Sequence, residues 1–163
     1  MSGIMFDYME NQIFKARGWF EIANRDSRGF IKDGRVVHNL ITSAGKAGMA
    51  SRLGGSGSEA AFTYLAVGTG TTAAAVTDTT LQTELSTAGL ARASATASRV
   101  TTSVTNDTAQ LLYSWSVSGT AAVTEAGILN AASVGVLLCR QVFSAVNVVN
   151  LDTLQLTYKV QFS

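Results

Sequence analysis

The chain has 163 residues and a mass of 17.1 kDa, which fits one domain or one domain with an arm. The single Cys excludes an internal disulfide, and one Cys with one His cannot supply a Cys/His zinc set. A net charge of +1 gives no basic field for nucleic acid, and the lack of a long apolar run predicts no membrane span.

Residues 1–15 predict an N-terminal arm that is rich in large apolar side chains. Asp7 and Glu10, without a basic stretch, are not typical of a signal peptide. Ile4 and Tyr8 have helical spacing, so the arm is either a short helix packed on its own domain or a segment that docks on a partner. The candidate docking residues are Ile4, Phe6, Tyr8, Met9, Ile13 and Phe14.

The first part of the body predicts a hairpin followed by a helix. Residues 18–24 and 30–37 have strand patterns, with turn signals at 24–29 and at Asp33-Gly34. Residues 42–53 predict a helix that Thr42 or Ser43 caps and that Gly54-Gly55 ends.

The middle of the chain combines a strand with a predicted helical turn. Residues 62–67 predict a strand that leads into a Gly-rich turn. In residues 79–85, Thr79 and Gln82 have the spacing of a capping box, which predicts one or two turns of helix.

The remainder of the sequence has the pattern of a sheet. Residues 90–105 predict one long strand of small side chains, followed by a turn at Asn106-Asp107. Further strand patterns cover residues 111–117, 123–130, 136–143 and 154–162. The last one alternates strictly, which is typical of a half-buried strand. Seven or eight strands without long helices between them predict a mainly β fold, an antiparallel β-sandwich of jelly-roll-like type over residues 16–163.

Charge is distributed unevenly along the chain. Residues 1–52 hold 13 of the 23 charged side chains, and Pro is absent. β-proteins usually protect their sheet edges with charge or Pro, so residues 53–163, which hold the other 10 charged side chains, have few such protections. Either these edges are paired within the chain, or other chains cover them in a homo-oligomer or against different subunits, and we favour the second.

Candidate catalytic groups are few. His38 has no nucleophile or acid at a recognisable spacing, which favours a structural role, and Cys139 lies in an apolar strand as a small buried side chain. The residues Gly68-Thr69-Gly70-Thr71-Thr72 lack the Lys of a phosphate loop, so we interpret them as a turn.

Two carboxylates have a more suggestive setting. Glu84 and Glu125 would suit a glycosidase if they faced each other across a cleft. The alternative is that they form ion pairs with Arg92 or Arg140, and we favour it in a chain with so little charge. Four aromatic residues lie in strand patterns, where they are core residues or a surface for a host glycan. They are Trp19, Phe20, Tyr64 and Trp115.

The order of several short motifs resembles the amino-terminal module of phage tail-collar and tail-fibre proteins. The resemblance covers about residues 36–162. The motifs that carry it include, in chain order, Val67-Gly68-Thr69-Gly70, Asp78-Thr79-Thr80-Leu81 and Thr124-Glu125-Ala126-Gly127. It implies a structural protein of a tailed-phage virion, without enzymatic activity or cofactor, that is oligomeric and often trimeric.

Together, these features predict a tail or fibre-attachment protein that folds in the host cytoplasm and assembles with other virion proteins. A capsid decoration protein is the alternative within the same class. A glycan-binding β-sandwich module is the alternative outside it, and a glycosidase that uses Glu84 and Glu125 is the least favoured.

Overall fold

The computed structural model of the chain describes residues 15–163. The predicted docking residues of the arm therefore lie outside the described residues. They are Ile4, Phe6, Tyr8, Met9, Ile13 and Phe14. Lys15, which we assigned to the arm, continues the adjacent sheet, since its backbone exchanges hydrogen bonds of 2.6 and 2.9 Å with Ser163.

The described residues form two antiparallel sheets of five strands each. Sheet A contains β1 (Ala16–Arg25), β2 (Ile31–His38), β6 (Thr96–Val100), β7 (Thr108–Ser116) and β10 (Thr153–Phe162), in the spatial order β2-β1-β10-β7-β6. Sheet B contains β3 (Leu40–Ile41), β4 (Tyr64–Gly68), β5 (Ala93–Ser94), β8 (Ala121–Leu129) and β9 (Leu137–Val148), in the order β3-β9-β8-β4-β5.

The inner faces of the two sheets share one hydrophobic core, which confirms the predicted sandwich. Sheet A contributes Phe20, Trp115, Leu156 and Tyr158, and sheet B contributes Leu65, Val67, Ile128, Cys139 and Val146. The alternation predicted for the last strand is confirmed as well, because Leu154, Leu156, Tyr158 and Val160 of β10 are all buried.

The predicted helix is present as α1 (Ser43–Gly54), and both of its ends are capped as expected. The Thr42 hydroxyl accepts a hydrogen bond of 2.9 Å from the backbone N–H of Gly45, and it donates one of 2.6 Å to the carbonyl of Leu137. Gly55 ends the helix at a φ of 62°, a left-handed conformation that glycine adopts without strain. The Thr42 cap thus ties the start of α1 to β9.

The turn expected at Asp33-Gly34 is wrong, since both residues lie inside β2. Gly34 pairs with Ala23 of β1 in the regular ladder. The chain reverses at residues 26–29, within the other predicted turn, where the Asp26 carboxylate accepts the backbone N–H groups of Arg28 and Phe30. A side chain that organises the loop in this way makes a second turn unnecessary.

The single strand expected over residues 90–105 is also wrong. The segment divides at Ala95, where β5 pairs with β4 in sheet B and β6 pairs with β7 in sheet A. The N–H of Ala95 donates a hydrogen bond of 2.8 Å to the carbonyl of Thr63. This crossing, together with the two-residue strand β3, gives ten strands in the described part of the chain instead of seven or eight.

The helical turn expected at residues 79–85 is absent from the structure. The side chain of Gln82 does not return to Thr79 as in a capping box, because it accepts the N–H groups of Thr71 and Thr72. The backbone N–H groups of Gln82 and Thr83 are taken by a buried carboxylate, that of Glu125. Tertiary hydrogen bonds therefore override the local helical signal.

Candidate functional site

Glu125 is the most connected polar side chain on the face of sheet B that the loop of residues 70–83 covers. It lies on β8 and is fully buried. Its carboxylate accepts backbone N–H groups from Gly70 at 3.0 Å, Gln82 at 3.0 Å and Thr83 at 2.7 Å. Burial acts to raise the pKa of Glu125, but the bonds from Thr83, Arg140 and Gln82 outweigh it, so the pKa lies below its ordinary value.

The Gly-rich turn after β4 surrounds this carboxylate. A Cβ placed on either Gly68 or Gly70 would lie 2.5 Å from Oε1 of Glu125, so both positions require glycine. The turn resembles a phosphate loop in that its backbone contacts an anion. Here the anion is a side chain of the protein itself, which agrees with the interpretation of the segment as a structural turn.

Arg140 of β9 completes the cluster from the neighbouring strand. Its Nε donates to Oε2 of Glu125 at 2.7 Å, its Nη1 donates to Asp78 at 2.8 Å, and its Nη2 donates to the carbonyl of Thr72 at 3.0 Å. Burial would lower the pKa of Arg140, yet the bonds that it donates to Glu125 and Asp78 raise the pKa above its ordinary value. The guanidinium therefore holds the loop of residues 70–83 against sheet B as a permanent cation.

Glu84 forms a separate ion pair beside this cluster. Both carboxylate oxygens of Glu84 bind the Arg92 guanidinium, at 2.8 and 2.5 Å. Nη1 of Arg92 also donates to the carbonyls of Ala131 and Val134, at 3.0 and 2.8 Å. The expectation of ion pairs is confirmed, with Arg92 as the partner of Glu84 and Arg140 as the partner of Glu125.

His38 and Cys139 occupy different environments. His38 is exposed at the end of β2, opposite Trp19 of β1. Cys139 is fully buried, next to Tyr158 and Asn39, and burial raises the pKa of its thiol from 9.0 to about 12. A thiol with that pKa is not a nucleophile at neutral pH, and the prediction of a small buried side chain is confirmed.

The four aromatic candidates divide into two pairs. Phe20 and Trp115 are core residues, which are 0% and 2% exposed. Trp19 and Tyr64 are half-buried. Trp19 borders a shallow outer pocket of about 260 Å³ on sheet A, which Arg17, Val36, His38 and Gln161 also line.

The edges of the two sheets are defended unequally. The edge strand β2 carries Lys32, Asp33 and Arg35, and the edge strands β3 and β5 have only two residues each. Charge and shortness are both common protections against pairing with another chain. The edge strand β6 has five residues, the first four of them exposed, and its only charged side chain is Arg99. Within the described residues, β6 is therefore the one long and weakly charged edge.

The described residues contain no group of three or more His, Cys, Asp or Glu side chains that is arranged to hold a metal ion. None of the helices in this part of the chain is long and apolar enough to cross a membrane.

Comparison of the chain with protein-family models, with curated proteins and with solved structures finds no match.

Sequence reasoning did not find three important members of these sites. Asp78 binds Arg140 and Gln82 binds the glycine turn through tertiary contacts, and the capping-box spacing of Gln82 indicates a different role for it. The edge position of β6 is likewise a property of sheet order. One indication of this edge is visible in the sequence, because residues 96–98 are all small and uncharged.

Proposed function

We propose that this chain is a non-enzymatic structural subunit of a tailed-phage virion, a tail or fibre-attachment protein that assembles through the open edge of β6. The order of motifs that resembles the module of tail-collar and tail-fibre proteins supports the virion assignment. The single observation that carries the assembly role is the edge strand β6, with four exposed residues and one charge.

The backbone of β6 suits pairing with another strand. β6 has a partner, β7, on one side only, so the hydrogen-bonding groups on its other side are directed away from the sheet. Addition of a strand from a second subunit would pair these groups and continue the sheet. The side chains of Thr96, Ala97 and Ser98 are small and uncharged, and offer little steric or electrostatic opposition.

The polar cluster of sheet B supports a structural role rather than catalysis. Glu125 is ionised, fully buried and surrounded by four donors, so it has no proton to give and no free approach for a substrate. Glu84 binds Arg92 through both oxygens. A glycosidase would need one protonated carboxyl group and a cleft between the pair.

The test of β6 uses two lysine substitutions. Thr96 and Ser98 share a face of the strand, and a Thr96→Lys, Ser98→Lys chain would place two cations on the edge. We expect light scattering after gel filtration to show an oligomer for the native chain and a smaller species for this variant. The matched control is Ser94→Lys on the two-residue edge strand β5, which should keep the native mass.

A native chain that stays monomeric at high concentration would overturn assembly through β6, and so would an oligomer that the lysine pair leaves intact. Circular dichroism checks that the variant keeps its fold.

The virion assignment has its own measurement. A stained gel of purified virions gives the copy number of the chain relative to the major capsid protein. Few copies per particle are expected for a tail or fibre-attachment protein, and hundreds of copies would indicate a capsid decoration protein instead. Absence of the chain from virions would reject both.

The pocket beside Trp19 favours glycan binding as a second candidate function. An indole that is half-buried, with Arg17, His38 and Gln161 around it, offers a flat apolar face and polar groups for a sugar ring. A glycan array tests this candidate. The native chain should bind glycans on the array, Trp19→Ala should lose this binding, and the control Tyr64→Ala should keep it. An array without hits for the native chain would reject it.

A further inference from the structure

An apolar groove opens between α1 and the end of sheet A where the described chain begins. It has a volume of about 540 Å³. Ala16 and Phe162 line it from sheet A, and Met49, Ala50 and Leu53 line it from α1. Phe62, just before β4, lines it as well. The groove is an extension of the core, since Ala16, Met49 and Phe62 all pack against the central hydrophobic cluster.

The backbone leads directly into this groove. Lys15 is still paired with Ser163, and Ala16 with Phe162, so β1 keeps its register up to the first described residue. Its inward-facing positions are Ala16, Gly18 and Phe20. Because side chains alternate along a strand, a continuation of β1 by two residues would make Phe14 the next inward position.

Length and charge also match the groove to the preceding segment. Residues 1–14, if extended, reach roughly 46 Å, whereas the 12 residues of α1 span about 18 Å. Arg52 of α1 is the basic side chain that lines the groove, whereas Lys46 lines a different pocket. The segment before Lys15 carries Asp7 and Glu10 and no Lys or Arg.

We propose that residues 1–14 of the same chain fill this groove, with Phe14 as the first anchor and with Asp7 and Glu10 facing Arg52 of α1. One residue separates Phe14 from Ala16, so the local concentration of the segment far exceeds that of any second copy. The arm would then complete the core of its own subunit, which is independent of the virion role and of assembly through β6.

The test measures the reactivity of a thiol placed in the groove of the full chain. Ala50→Cys puts the thiol among the lining residues, and Ala47→Cys is the matched control on the same helix outside the groove. The native Cys139 is fully buried and does not interfere. We expect an aromatic disulfide reagent to modify Ala50→Cys about tenfold more slowly than Ala47→Cys, since reaction requires the segment to open.

A second pair of variants identifies the segment as the cover. Addition of Ile13→Ser and Phe14→Ser to Ala50→Cys should restore the fast rate, whereas Asn11→Ser with Gln12→Ser should leave the rate slow. Equal rates for Ala50→Cys and Ala47→Cys in the otherwise native chain would overturn the proposal, and that comparison does not depend on the folding of the arm variants.

Mixing distinguishes the chain's own segment from that of a neighbour. An excess of native chain is added to the variant that carries Ala50→Cys, Ile13→Ser and Phe14→Ser. An unchanged fast rate supports docking within one chain. A slow rate would show that a second copy supplies the segment, and would overturn the proposal in favour of exchange between subunits.

Discussion

Arg140 donates from Nε to Oε2 of Glu125 at 2.7 Å, and both side chains are buried, at 3% and 0% exposure. The pair connects neighbouring strands β9 and β8, and through further bonds to Asp78 and Gly70 it fixes the loop that follows β4. A buried ion pair is costly to break because the remaining partner stays charged and desolvated. The structure therefore depends on this pair far more than on its surface pairs.

Glu125→Gln should destabilise the fold strongly. The amide removes the negative charge that compensates Arg140, and it replaces one acceptor oxygen by a donor that faces backbone N–H groups. We expect the free energy of unfolding, measured in urea, to fall by about 3–5 kcal/mol.

The control for this prediction is Glu84→Gln. The side chain of Glu84 is 26% exposed, so water compensates part of the lost pair with Arg92. Glu84→Gln should therefore lower the free energy of unfolding by about 1 kcal/mol or less. Equal losses for the two variants would contradict the special role of the Glu125–Arg140 pair.

Gly70→Ala should be destabilising as well, by about 1–3 kcal/mol, because Glu125 and Gln82 leave no room for the methyl group. The new Cβ would lie 2.5 Å from Oε1 of Glu125 and 2.6 Å from Cβ of Gln82. Gly34→Ala in β2 is the matched control, since its nearest neighbour would be Cγ2 of Ile31 at 3.5 Å. Thermal unfolding should show a lower Tm for Gly70→Ala and a Tm near the native value for Gly34→Ala.

The parts of the fold that the sequence predicts are those with local causes. The last strand is recognisable because its apolar residues alternate along β10, and α1 is recognisable because Thr42 and Gly55 are good caps wherever a helix occurs. These signals depend on the period of the backbone and on short-range hydrogen bonds, so they need no knowledge of the sheet.

The wrong predictions concern segments whose structure is determined by contacts with residues distant in the sequence. Residues 90–105 have a continuous strand pattern, yet the chain leaves sheet B and joins sheet A at Ala95 because Thr63 and β7 supply its partners there. Thr79 and Gln82 have a capping-box spacing, but Glu125 takes the N–H of Gln82 and that of Thr83. The ion pairs of Glu84 and Glu125 could be predicted because few basic side chains are available as partners. The edge position of β6 follows only from the strand order.

Acid should weaken the native chain more than the Glu125→Gln variant. The pKa of Glu125 is lowered in the fold from its ordinary value of 4.5, so the folded state releases this proton more readily than the unfolded state. The stabilisation that the ionised Glu125 provides is complete above pH 4.5, and it is lost as the pH falls through the pKa of Glu125 in the folded state.

Urea unfolding at several pH values between about 7 and 3 measures this effect. The difference in unfolding free energy between the native chain and Glu125→Gln should be constant down to about pH 5 and then shrink. A difference that stays constant throughout would show that Glu125 does not titrate with folding. Burial acts to raise the pKa of Asp152, but the bonds from Lys32 and Val149 lower it; Asp152 lies outside the Glu125 cluster, so it affects both chains alike.

Alkali should also lower the free energy of unfolding, here because the buried thiol of Cys139 resists losing its proton. Burial raises the pKa of Cys139 from 9.0 to about 12, so the folded state keeps a proton that the unfolded state loses. The contribution to stability is full below pH 9.0 and is lost as the pH rises toward 12. Over this window the unfolding free energy of the native chain should decline by up to about 1.4 kcal/mol per pH unit from this group alone.

Cys139→Ala isolates the effect of the thiol, because the variant changes the absolute stability but removes the titrating proton. Its unfolding free energy should decline less steeply than that of the native chain between pH 9 and 12, the interval over which Cys139 titrates. The pKa of Tyr158 is raised by burial and then by its contact with Cys139, so Tyr158 adds a decline that is also larger in the native chain. Parallel curves for the two proteins would mean that the Cys139 thiol ionises equally in the folded and unfolded states, which is incompatible with a side chain that is 0% exposed in the core.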